Sequence, residues 1–427
     1  MLLALLAGTA AAVSLFFTIQ KVFDGNAASF IHVNYVSVVS CDDRVWLVGE
    51  RKNFGTGSGH GTKLWITEHL GGAAYASEEE IAQNRLEGII DTSYLASTAC
   101  VSNTNAVSVQ SHHFVSGEDE VEEILVKRLD RSVLQRTPVG PQAVGDHKHH
   151  VLIHDPFRSE MLSVQTLSEN AEDVIYGERT ALMSPISWPA PLPRLVSPNG
   201  NQQDHGNPAT RTDGRAIAFH TANGIRVKFE SLVGAAWTIV GTRDLVPNAQ
   251  NDWPDLAQRG GTFFLTYDAT TANQVRFNSC SGTLSACATN VPSAWGTDTL
   301  VASDAAHPQI AVDGDGRVFI FYDGDPVSTN PNPDTSANQV KLAVRCVGQP
   351  TFTIHDVDDG TAATIATNRA EPWAALDLVE TGTEADPDGF VHLGYVRGKI
   401  DRGDLGMSDR DGFHAFASID DLCPGAL

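Results

Sequence analysis

The stretch that decides the fold is residues 307–323, which read HPQIAVDGDGRVFIFYD. A proline at the second position leads into a first run rich in β-branched residues at 309–312. The acidic, glycine-containing segment 313–316 follows, and residues 317–322 form a second run rich in β-branched and aromatic residues. Alternating runs of this kind around a short Asp/Gly segment predict two antiparallel strands joined by a tight turn.

The same pattern recurs along the chain at a spacing of roughly 45 to 65 residues, which is typical of a β-propeller. Three further clear copies lie around Asn207-Pro208, Trp253-Pro254 and Glu371-Pro372, and three fainter copies lie at residues 45–50, 107–111 and 151–155. The sequence therefore predicts an all-β protein: a seven-bladed β-propeller of four-stranded antiparallel blades over residues 26–427, preceded by an N-terminal hydrophobic helix within residues 1–25.

Each blade is expected to run from an innermost strand through a tight turn to a second strand and then to two outer strands. For the sixth blade these strands are predicted at 309–312, 317–322, 340–345 and 352–355. The aromatic runs 263–265 and 319–321 are expected where neighbouring blades pack. Residues 77–81 (SEEEI) carry a capping-box pattern that predicts a helix between the first two blades, and the proline-rich segment 188–193 is expected to be a connector.

This geometry predicts two rims. The turn rim carries the turns between first and second strands, such as 313–316 and 386–389, and the strand-end rim lies opposite. Polar and aromatic side chains that converge at the strand-end rim form the candidate ligand site. The candidate ligand-binding residues are Tyr267, Tyr322, Tyr395, His220, His307, Asp252, Asp268, Asp323, Glu371 and Arg397. The same rim is expected to collect Glu50, His112, His154, Asp155 and Asn207. The alternative is that the Tyr and His side chains at strand ends only hold neighbouring blades together.

Residues 2–19 form the longest apolar run, LLALLAGTAAAVSLFFTI, with no Lys or Arg before it. Its length lies between that of a signal-peptide apolar region and that of a membrane span. Three alternatives stay open: a signal peptide, a retained membrane anchor, or a filament-assembly helix, although such helices typically carry an early glutamate where this chain has Leu5. All three place the propeller outside the cytoplasm, as a secreted, periplasmic or cell-surface protein.

Six cysteines agree with export, because an even count suits a disulfide framework in an oxidising compartment. Cys280 and Cys287 flank a short segment with a glycine, which favours a local disulfide. Cys41 and Cys100 occupy similar places before the turns of the first two blades and are expected to pair. Cys346 and Cys423 then remain as a pair by elimination.

The 52 acidic and 29 basic residues give a formal charge of −23. This charge repels phosphate backbones in the absence of a concentrated basic patch, so nucleic acid is not an expected partner. The acidity itself is read as a source of solubility.

The repeat resembles the Asp-box and sialidase-like propellers of secreted bacterial proteins over residues 206–418. The likeness lies in the proline-led strand, the acidic turn and the segment from Cys280-Ser281-Gly282 through Cys287 to Trp295. The motif Ser-x-Asp-x-Gly-x-Thr-Trp is not intact, and residues 408–413 (SDRDGF) are its nearest relative. The sialidase-like propellers that the repeat resembles have six blades and hold a ligand carboxylate with three arginines. At the predicted rim this chain offers only Arg397.

Acidic and histidine residues offer candidates for catalysis and for metal binding. A glycosidase needs two carboxylates across the sugar, and Asp252, Asp268, Asp323 and Glu371 are candidates. His147, His149, His150, His154 and Asp155 form the densest set of possible metal ligands, but only His150 and His154 share a strand face, so exposed histidines are the preferred interpretation. No cofactor is predicted, although the oxygen-rich loop from Asp323 through Asp325 to residue 334 leaves calcium possible.

These observations predict an exported, non-catalytic propeller that binds a glycan or a protein at the cell surface. Two alternatives are a secreted carbohydrate-active enzyme, a sialidase-like hydrolase or lyase, and a structural subunit of a surface filament or membrane complex anchored by residues 2–19. Ligand identity and oligomeric state are not readable from the sequence, and fold alone does not choose among these functions.

Overall fold

The computed structural model describes most of the chain from residue 17 to residue 424. The described ranges are 17–24, 31–41, 44–53, 61–84, 97–101, 106–115, 118–143, 147–169, 172–181, 203–221, 224–233, 236–246, 251–269, 272–289, 294–324, 339–358, 369–371, 376–379, 389–399 and 409–424. The predicted N-terminal helix up to residue 16, the proline-rich segment 188–193 and the loop 325–334 lie outside these ranges.

The described strands form seven antiparallel sheets, numbered here as blades 1 to 7 in chain order. The first described strand is β1 (Thr18–Phe23), which belongs to blade 7. Blade 1 contains β2 (Ile31–Cys41), β3 (Arg44–Asn53), β4 (Gly61–Gly71), β5 (Ala74–Tyr75) and β6 (Glu79–Asn84). Blade 2 contains β7 (Ser97–Val101), β8 (Ala106–Val115), β9 (Glu118–Lys127) and β10 (Val133–Ala143). Blade 3 contains β11 (His147–Asp155), β12 (Glu160–Glu169) and β13 (Glu172–Ala181).

The second half of the ring follows the same plan. Blade 4 contains β14 (Gln203–Arg211), β15 (Gly214–Thr221), β16 (Gly224–Val233) and β17 (Ala236–Val246). Blade 5 contains β18 (Asn251–Arg259), β19 (Thr262–Ala269), β20 (Gln274–Ser281) and β21 (Thr299–Ser303), with the helix α1 (Leu284–Ala288) between its last two strands. Blade 6 contains β22 (Ala305–Val312), β23 (Val318–Gly324), β24 (Gln339–Arg345) and β25 (Thr353–Asp358). Blade 7 contains β26 (Arg369–Glu371), β27 (Leu376–Val379), β28 (Phe390–Lys399) and β29 (Asp409–Ser418), and the last described helix is α2 (Ile419–Leu422).

Neighbouring blades contact each other through their innermost strands, from β2 to β7, β11, β14, β18, β22 and β27, and β2 also contacts β28 and β29 of blade 7. The blades therefore form a closed ring, and the predicted all-β propeller of small antiparallel blades is confirmed. Six of the sheets have four or five strands, and three strands are described for blade 3. The four strands predicted for the sixth blade agree with β22 to β25 within a few residues.

The outermost strand of blade 7 comes from the N-terminus. β1 pairs with β29, and β29 pairs with β28, so β29 is the third strand of the blade. Phe23 at the end of β1 is buried in a cluster with Val33, Val36 and Leu47 of blade 1. Residues 18–23 therefore belong to the propeller, which corrects the boundary predicted at residue 25. In the described part of the chain, no helix has the length and apolar character needed to cross a membrane.

The strand position predicted for residues 151–155 of blade 3 is wrong. Residues 151–155 were predicted as the end of a second strand, but β11 is the innermost strand, which contacts β7 and β14. Its C-terminal end leads into the turn before β12. His154 and Asp155 therefore lie at the turn rim and not at the strand-end rim. Asp155 accepts hydrogen bonds there from the Phe157 backbone N–H (3.0 Å) and Arg158 Nη1 (2.6 Å), as an acidic turn residue does.

The core lies between the blades, because successive residues of a strand face opposite sides of its sheet. Phe263 belongs to a cluster with Phe229 and Ala216 of blade 4, whereas the next residue, Phe264, belongs to a cluster with Ile320 of blade 6. The aromatic runs 263–265 and 319–321 thus pack between blades as predicted. Each of these second strands is buried on both faces.

The helix predicted at residues 77–81 is not formed. Residues 79–84 instead form β6, which pairs with β4. Ile81 is buried in the cluster between blades 1 and 2, and the acidic side chains pair with bases, as in Lys63–Glu80 (2.8 Å) and Arg51–Glu78 (2.6 Å). Tertiary burial of Ile81 and pairing to the β4 edge outweigh the local helix signal.

Two predicted disulfides are present, Cys280–Cys287 and Cys346–Cys423. The first closes the segment that contains α1, whose N-cap Thr283 accepts a hydrogen bond from the Ala286 backbone N–H. The second joins the segment between β24 and β25 of blade 6 to Cys423, which directly follows α2. Cys100 is also disulfide-bonded, but the side chain of Cys41 lies outside the described residues, so the Cys41–Cys100 pairing stays a prediction.

Candidate functional site

The innermost strands of blades 4, 5 and 6 share an irregularity near the strand-end rim. The pairing register shifts between Asp204 and Asn207 in β14, between Asp252 and Asp255 in β18, and between Ala306 and Gln309 in β22. In β18 and β22 the shift contains the repeat proline, which cannot donate to the ladder, and the residue before it. These pre-proline residues are Trp253 and His307, whereas Asn207 of β14 is paired with Ala218 and so matches Asp255 in register. The shifts therefore place Trp253 of blade 5 and His307 of blade 6 at equivalent positions.

Trp253 and His307 both have a backbone conformation that non-glycine residues rarely adopt. Their φ angles are +47° and +50°, in the left-handed region. The other four non-glycine residues with positive φ in the described ranges lie between strands. A left-handed non-glycine residue costs on the order of 1–3 kcal/mol and is found preferentially at functional sites. The two rings, both partly exposed, meet edge to face with centroids 4.8 Å apart, so adjacent blades present one aromatic pair.

Carboxylates lie next to this pair on the second strands. Asp323 is opposite Ala306, on the rim side of the register shift, and Asp268 holds the equivalent place opposite Asp252. Both carboxylates are buried. The His307 Nδ1 atom lies 3.9 Å from Asp323 Oδ2, so the aromatic pair and an acidic group share one corner of the rim. His307, Asp323 and Asp268 were predicted for this rim.

The three tyrosines of the predicted site do not face the rim. Tyr267, Tyr322 and Tyr395 are all almost fully buried, each in a different core cluster. The Tyr267 hydroxyl donates to Asp298 Oδ1 (2.9 Å), and the Tyr395 hydroxyl donates to Asp358 Oδ2 in blade 6 (2.9 Å). Burial raises the pKa of Tyr267 and of Tyr322. The expectation that these rings stack on a ligand is wrong, and the alternative, that they hold blades together, agrees with their contacts.

His220 was aligned with the tyrosines but holds a different place. His220 and Tyr267 each lie six residues after the last turn glycine, Gly214 or Gly261. Gly214 is already the first residue of β15, whereas Gly261 lies in the turn before β19, so the same count ends one residue later in the second strand of blade 4. In the structure Phe219 matches Tyr267, and His220, opposite Asp204, matches Asp268. His220 is partly exposed. The rim therefore carries a histidine in blade 4 where blades 5 and 6 carry carboxylates.

The remaining candidates of this rim are only partly described. Asn207 donates from Nδ2 to the Pro254 carbonyl oxygen (2.5 Å) and so links blade 4 to blade 5, and Glu50 is buried. The side chains of Asp252, Glu371, Arg397 and His112 lie outside the described residues, although their backbones are in β18, β26, β28 and β8. Their roles at the rim stay predictions.

Asp255 is a rim residue that the sequence analysis missed. It follows Trp253-Pro254 on β18, and its Oδ2 accepts a hydrogen bond from the Ile310 backbone N–H of blade 6 (2.7 Å). Its Oδ1 accepts from the Leu256 N–H (2.9 Å). Desolvation by burial outweighs these two bonds and raises the pKa of Asp255 to about 6. The position two residues after the pre-proline residue was its only sequence signal.

The predicted metal ligands are also only partly described. His154 is half-buried at the turn rim, with its pKa lowered by burial, and the His150 side chain and Asp325 lie outside the described residues. His154 and Asp323 belong to opposite rims, so they form no common site. Calcium in the loop after Asp323 stays a prediction. A different set of histidines, His69, His392 and His414, does converge within the described residues.

A groove of about 640 Å³ crosses the turn rim between blades 3, 4 and 5. It is lined by Phe157 of blade 3, Arg211 and Asp213 of blade 4, and Gly260 and Gly261 of blade 5, among others. The Arg211 guanidinium is already committed: Nε and Nη2 donate to Asp213, and Nη1 donates to the carbonyl oxygens of Gly261 (2.6 Å) and Gly282 (2.7 Å). The groove therefore lies where hydrogen bonds from Arg211 join blade 4 to blade 5.

A scan against protein-family models matches no family, and no curated protein is significantly similar in sequence. Solved structures do resemble the chain. A protein of unknown function from Dyadobacter fermentans is 10% identical, with 93% of this chain and 99% of that chain covered and a TM-score of 0.45. The phage phi92 endosialidase is 9% identical, with 95% and 69% covered and a TM-score of 0.47.

An α-L-arabinanase from Penicillium chrysogenum is also similar, at 9% identity, with 94% and 98% of the two chains covered and a TM-score of 0.44. An endosialidase and an arabinanase are thus among the solved structures that resemble the chain. At these identities and TM-scores the similarity carries no activity over to this chain.

Proposed function

We propose that this protein is an exported, non-catalytic propeller that binds a glycan at the strand-end rim of blades 5 and 6. The observation that carries the proposal is the Trp253–His307 pair, held by left-handed backbone in two adjacent blades with its rings 4.8 Å apart. Partly exposed aromatic rings stack on the apolar faces of sugars. The buried carboxylate of Asp323 lies 3.9 Å from His307 Nδ1 and places an acidic group beside the two rings, so this corner combines apolar and polar character.

Export is supported by the disulfides Cys280–Cys287 and Cys346–Cys423, because disulfides persist mainly in oxidising compartments. The apolar segment 2–19 supplies the export signal or anchor in this proposal. A protein ligand at the cell surface, or assembly into a filament through residues 2–19, would leave the Trp253–His307 pair without a sugar. The experiment must therefore probe glycans directly.

The test is a glycan array, followed by calorimetric titration of the best glycan. Trp253→Ala removes the aromatic ring and leaves a non-glycine residue at this left-handed position. The Kd for the glycan is expected to rise about tenfold or more, as for loss of a stacking contact of about 1.4 kcal/mol. Phe157→Ala is the matched control, because Phe157 is an aromatic residue, 46% exposed, at the turn rim. An array without a bound glycan, or equal losses in both variants, would refute the proposal.

Asp255 favours glycoside hydrolysis as a second candidate function. A carboxyl group with a pKa of about 6 remains partly protonated near neutral pH, as the general acid of a glycosidase must. Asp323 or Asp268 would be the second carboxylate. In this case release of reducing sugar from the bound glycan would be lost in Asp255→Asn while binding is retained. Absence of any release by the wild-type protein from its bound glycan would leave the non-catalytic function.

A further inference from the structure

Three histidines that are far apart in sequence meet where blade 7 contacts blade 1. His69 lies in β4, His392 in β28 and His414 in β29. One ring nitrogen from each lies within 4.8 Å of the others, and His392 Nδ1 is 2.9 Å from His414 Nε2. His392 and His414 are buried, and His69 is partly exposed, so the cluster has one side open to solvent.

The strand register brings the two buried histidines together. In the antiparallel β28–β29 pair, His392 is opposite Phe416 and His414 is opposite Gly394, so both histidines lie on the same face as diagonal neighbours. A Cβ atom at Gly394 would lie 2.8 Å from a methyl group of Val38 in β2. The glycine therefore allows blade 7 to approach blade 1 closely enough for His69 to reach the pair.

Hydrogen bonds to the outer nitrogens set the tautomers. His69 Nε2 lies 2.9 Å from the Gly72 carbonyl oxygen, which can only accept, so Nε2 carries the proton and Nδ1 keeps its lone pair. His414 Nδ1 lies 2.8 Å from the Tyr75 hydroxyl. A metal-binding histidine typically has such a partner at its second nitrogen, which orients the ring. Both partners come from blade 1 and lie outside the centre of the cluster.

A metal ion binds the lone pair of an imidazole nitrogen, and in this cluster one ring nitrogen of each histidine lies within 4.8 Å of the other two. Neutral imidazoles that face each other have few favourable arrangements, since each pair needs one donor and one acceptor. A cation at the centre would accept a lone pair from all three.

We propose that His69, His392 and His414 bind a divalent transition metal ion, zinc in particular, that joins blade 7 to blade 1. Zinc with nitrogen ligands at about 2.0–2.1 Å requires nitrogens about 3.3 Å apart in a tetrahedral site. The observed separations, from 2.9 Å to at most 4.8 Å, bracket this value. Three protein ligands leave a fourth position, which water fills from the open side at His69. Imidazole ligands also suit copper and nickel, so the metal series is part of the test.

The experiment uses the full propeller after chelation and dialysis, with zinc alone as the probe. Elemental analysis is expected to find one zinc per chain, thermal unfolding is expected to shift upward when zinc is added, and cobalt is expected to give the visible absorption bands of a tetrahedral site. Cu²⁺ and Ni²⁺ are titrated in parallel, and a single shared site must show them competing with zinc.

His69→Ala is the main variant, because His69 is partly exposed and its replacement is the least disruptive of the three. It is expected to weaken zinc binding at least tenfold and to abolish the upward shift of Tm while the circular dichroism spectrum is retained. His154→Ala, a half-buried histidine of the turn rim, is the control and is expected to bind zinc as the wild type does.

Tyr75→Phe tests the positioning contact to His414, and a fall of about tenfold in zinc affinity is expected with unchanged stoichiometry. Absence of stoichiometric zinc binding in the wild type would overturn the proposal, and so would equal binding by His69→Ala. The proposed glycan site at the strand-end rim involves other residues, so failure of zinc binding and failure of glycan binding can be told apart.

Discussion

The three tyrosines at the blade register shifts differ in what their hydroxyl groups contact. Tyr395 donates to Asp358, a buried carboxylate, whereas Tyr267 donates to the partly exposed Asp298. For Tyr322, no hydroxyl hydrogen bond is found among the residues that the structure describes. The hydroxyl partner of Tyr395 lies in blade 6, whereas that of Tyr267 lies directly before β21 in its own blade 5.

Removing these hydroxyl groups is expected to destabilise the protein in that order. Tyr395→Phe leaves a buried carboxylate without this donor and should lower the free energy of unfolding by about 1.5–3 kcal/mol. Tyr267→Phe should cost about 1 kcal/mol, because water can reach Asp298. Tyr322→Phe is the control, with a change below about 0.5 kcal/mol. Urea unfolding measures all three, and a cost for Tyr322→Phe equal to that of Tyr395→Phe would contradict this assignment.

The raised pKa of Asp255 predicts that the free energy of unfolding depends on pH. Its pKa of about 6 lies above that of an unfolded aspartate, so the folded state binds the proton more tightly. The resulting stabilisation is complete below about pH 4 and is lost as the pH rises through 6. Asp255→Asn should remove this fall in the free energy of unfolding between pH 4 and 6.

The control for this pH dependence is Asp315→Asn, at a carboxylate that is 66% exposed at the turn rim. This variant should keep the wild-type slope. Chemical unfolding at several pH values compares the slopes, and an unchanged slope in Asp255→Asn would show that another group titrates in this range.

At the scale of the element, β1 decides how the ring closes. It supplies the outer strand of blade 7, and Phe23 fills space left by two glycines: a Cβ atom would lie 2.5 Å from the Phe23 ring at Gly49 and 3.1 Å from it at Gly412. A chain that begins at residue 17 is therefore expected to fold with the stability of the longer chain, whereas a chain that begins at residue 25 should lose the strand.

Phe23→Ala tests the same contact without truncation and should cost about 3–5 kcal/mol, as for removal of a buried phenylalanine. Thermal unfolding of the three proteins provides the measurement. If the chain that begins at residue 25 unfolds at the same temperature as the chain that begins at residue 17, then β1 does not close the propeller.

The helix signal at residues 77–81 and the strand at β6 show the same dependence on context. The glutamates that suggested a capping box pair instead with Lys63 and Arg51 across the sheet. A local propensity of a few tenths of a kcal/mol per residue is small beside the burial of Ile81. Elements at blade edges are therefore the least readable from local sequence.

At the scale of the whole molecule, the two disulfides close loops of very different length. Cys346–Cys423 has a sequence separation of 77 and joins blade 6 to the end of blade 7, whereas Cys280–Cys287 has a separation of 7 within blade 5. In the chain-entropy model the long bridge stabilises by about 4.5 kcal/mol and the short one by about 2.5 kcal/mol.

Replacing both cysteines of each pair by serine should therefore lower the unfolding temperature more for Cys346 and Cys423 than for Cys280 and Cys287. Differential scanning calorimetry of the two double variants, under non-reducing conditions, makes the comparison. The reverse order would mean that the local bridge, through α1 and the Trp295 Nε1 bond to the Cys287 carbonyl oxygen (3.0 Å), is the more important constraint.

Much of the architecture was determined by the sequence alone, because it depends on local patterns. The proline-led strands, the turns and the alternation of side chains recur in each clear repeat, and each needs only neighbours within about 20 residues. The period therefore predicted the blades, and Cys280–Cys287 could be paired from its short separation. The fainter third blade failed because residues 147–155 lack the proline and glycine that mark which strand is innermost.

Only the tertiary structure decided which polar residues serve the ligand site. Tyr267 and Trp253 both lie near the strand-end rim in sequence register, but Tyr267 is buried in the cluster between blades 4 and 5, whereas Trp253 remains partly exposed. His69 and His414 are separated by 345 positions and meet because the ring closes between blades 7 and 1. Contacts of this kind depend on blade packing around the ring, which no local pattern contains, and so the rim corner and the histidine cluster appear only in the folded protein.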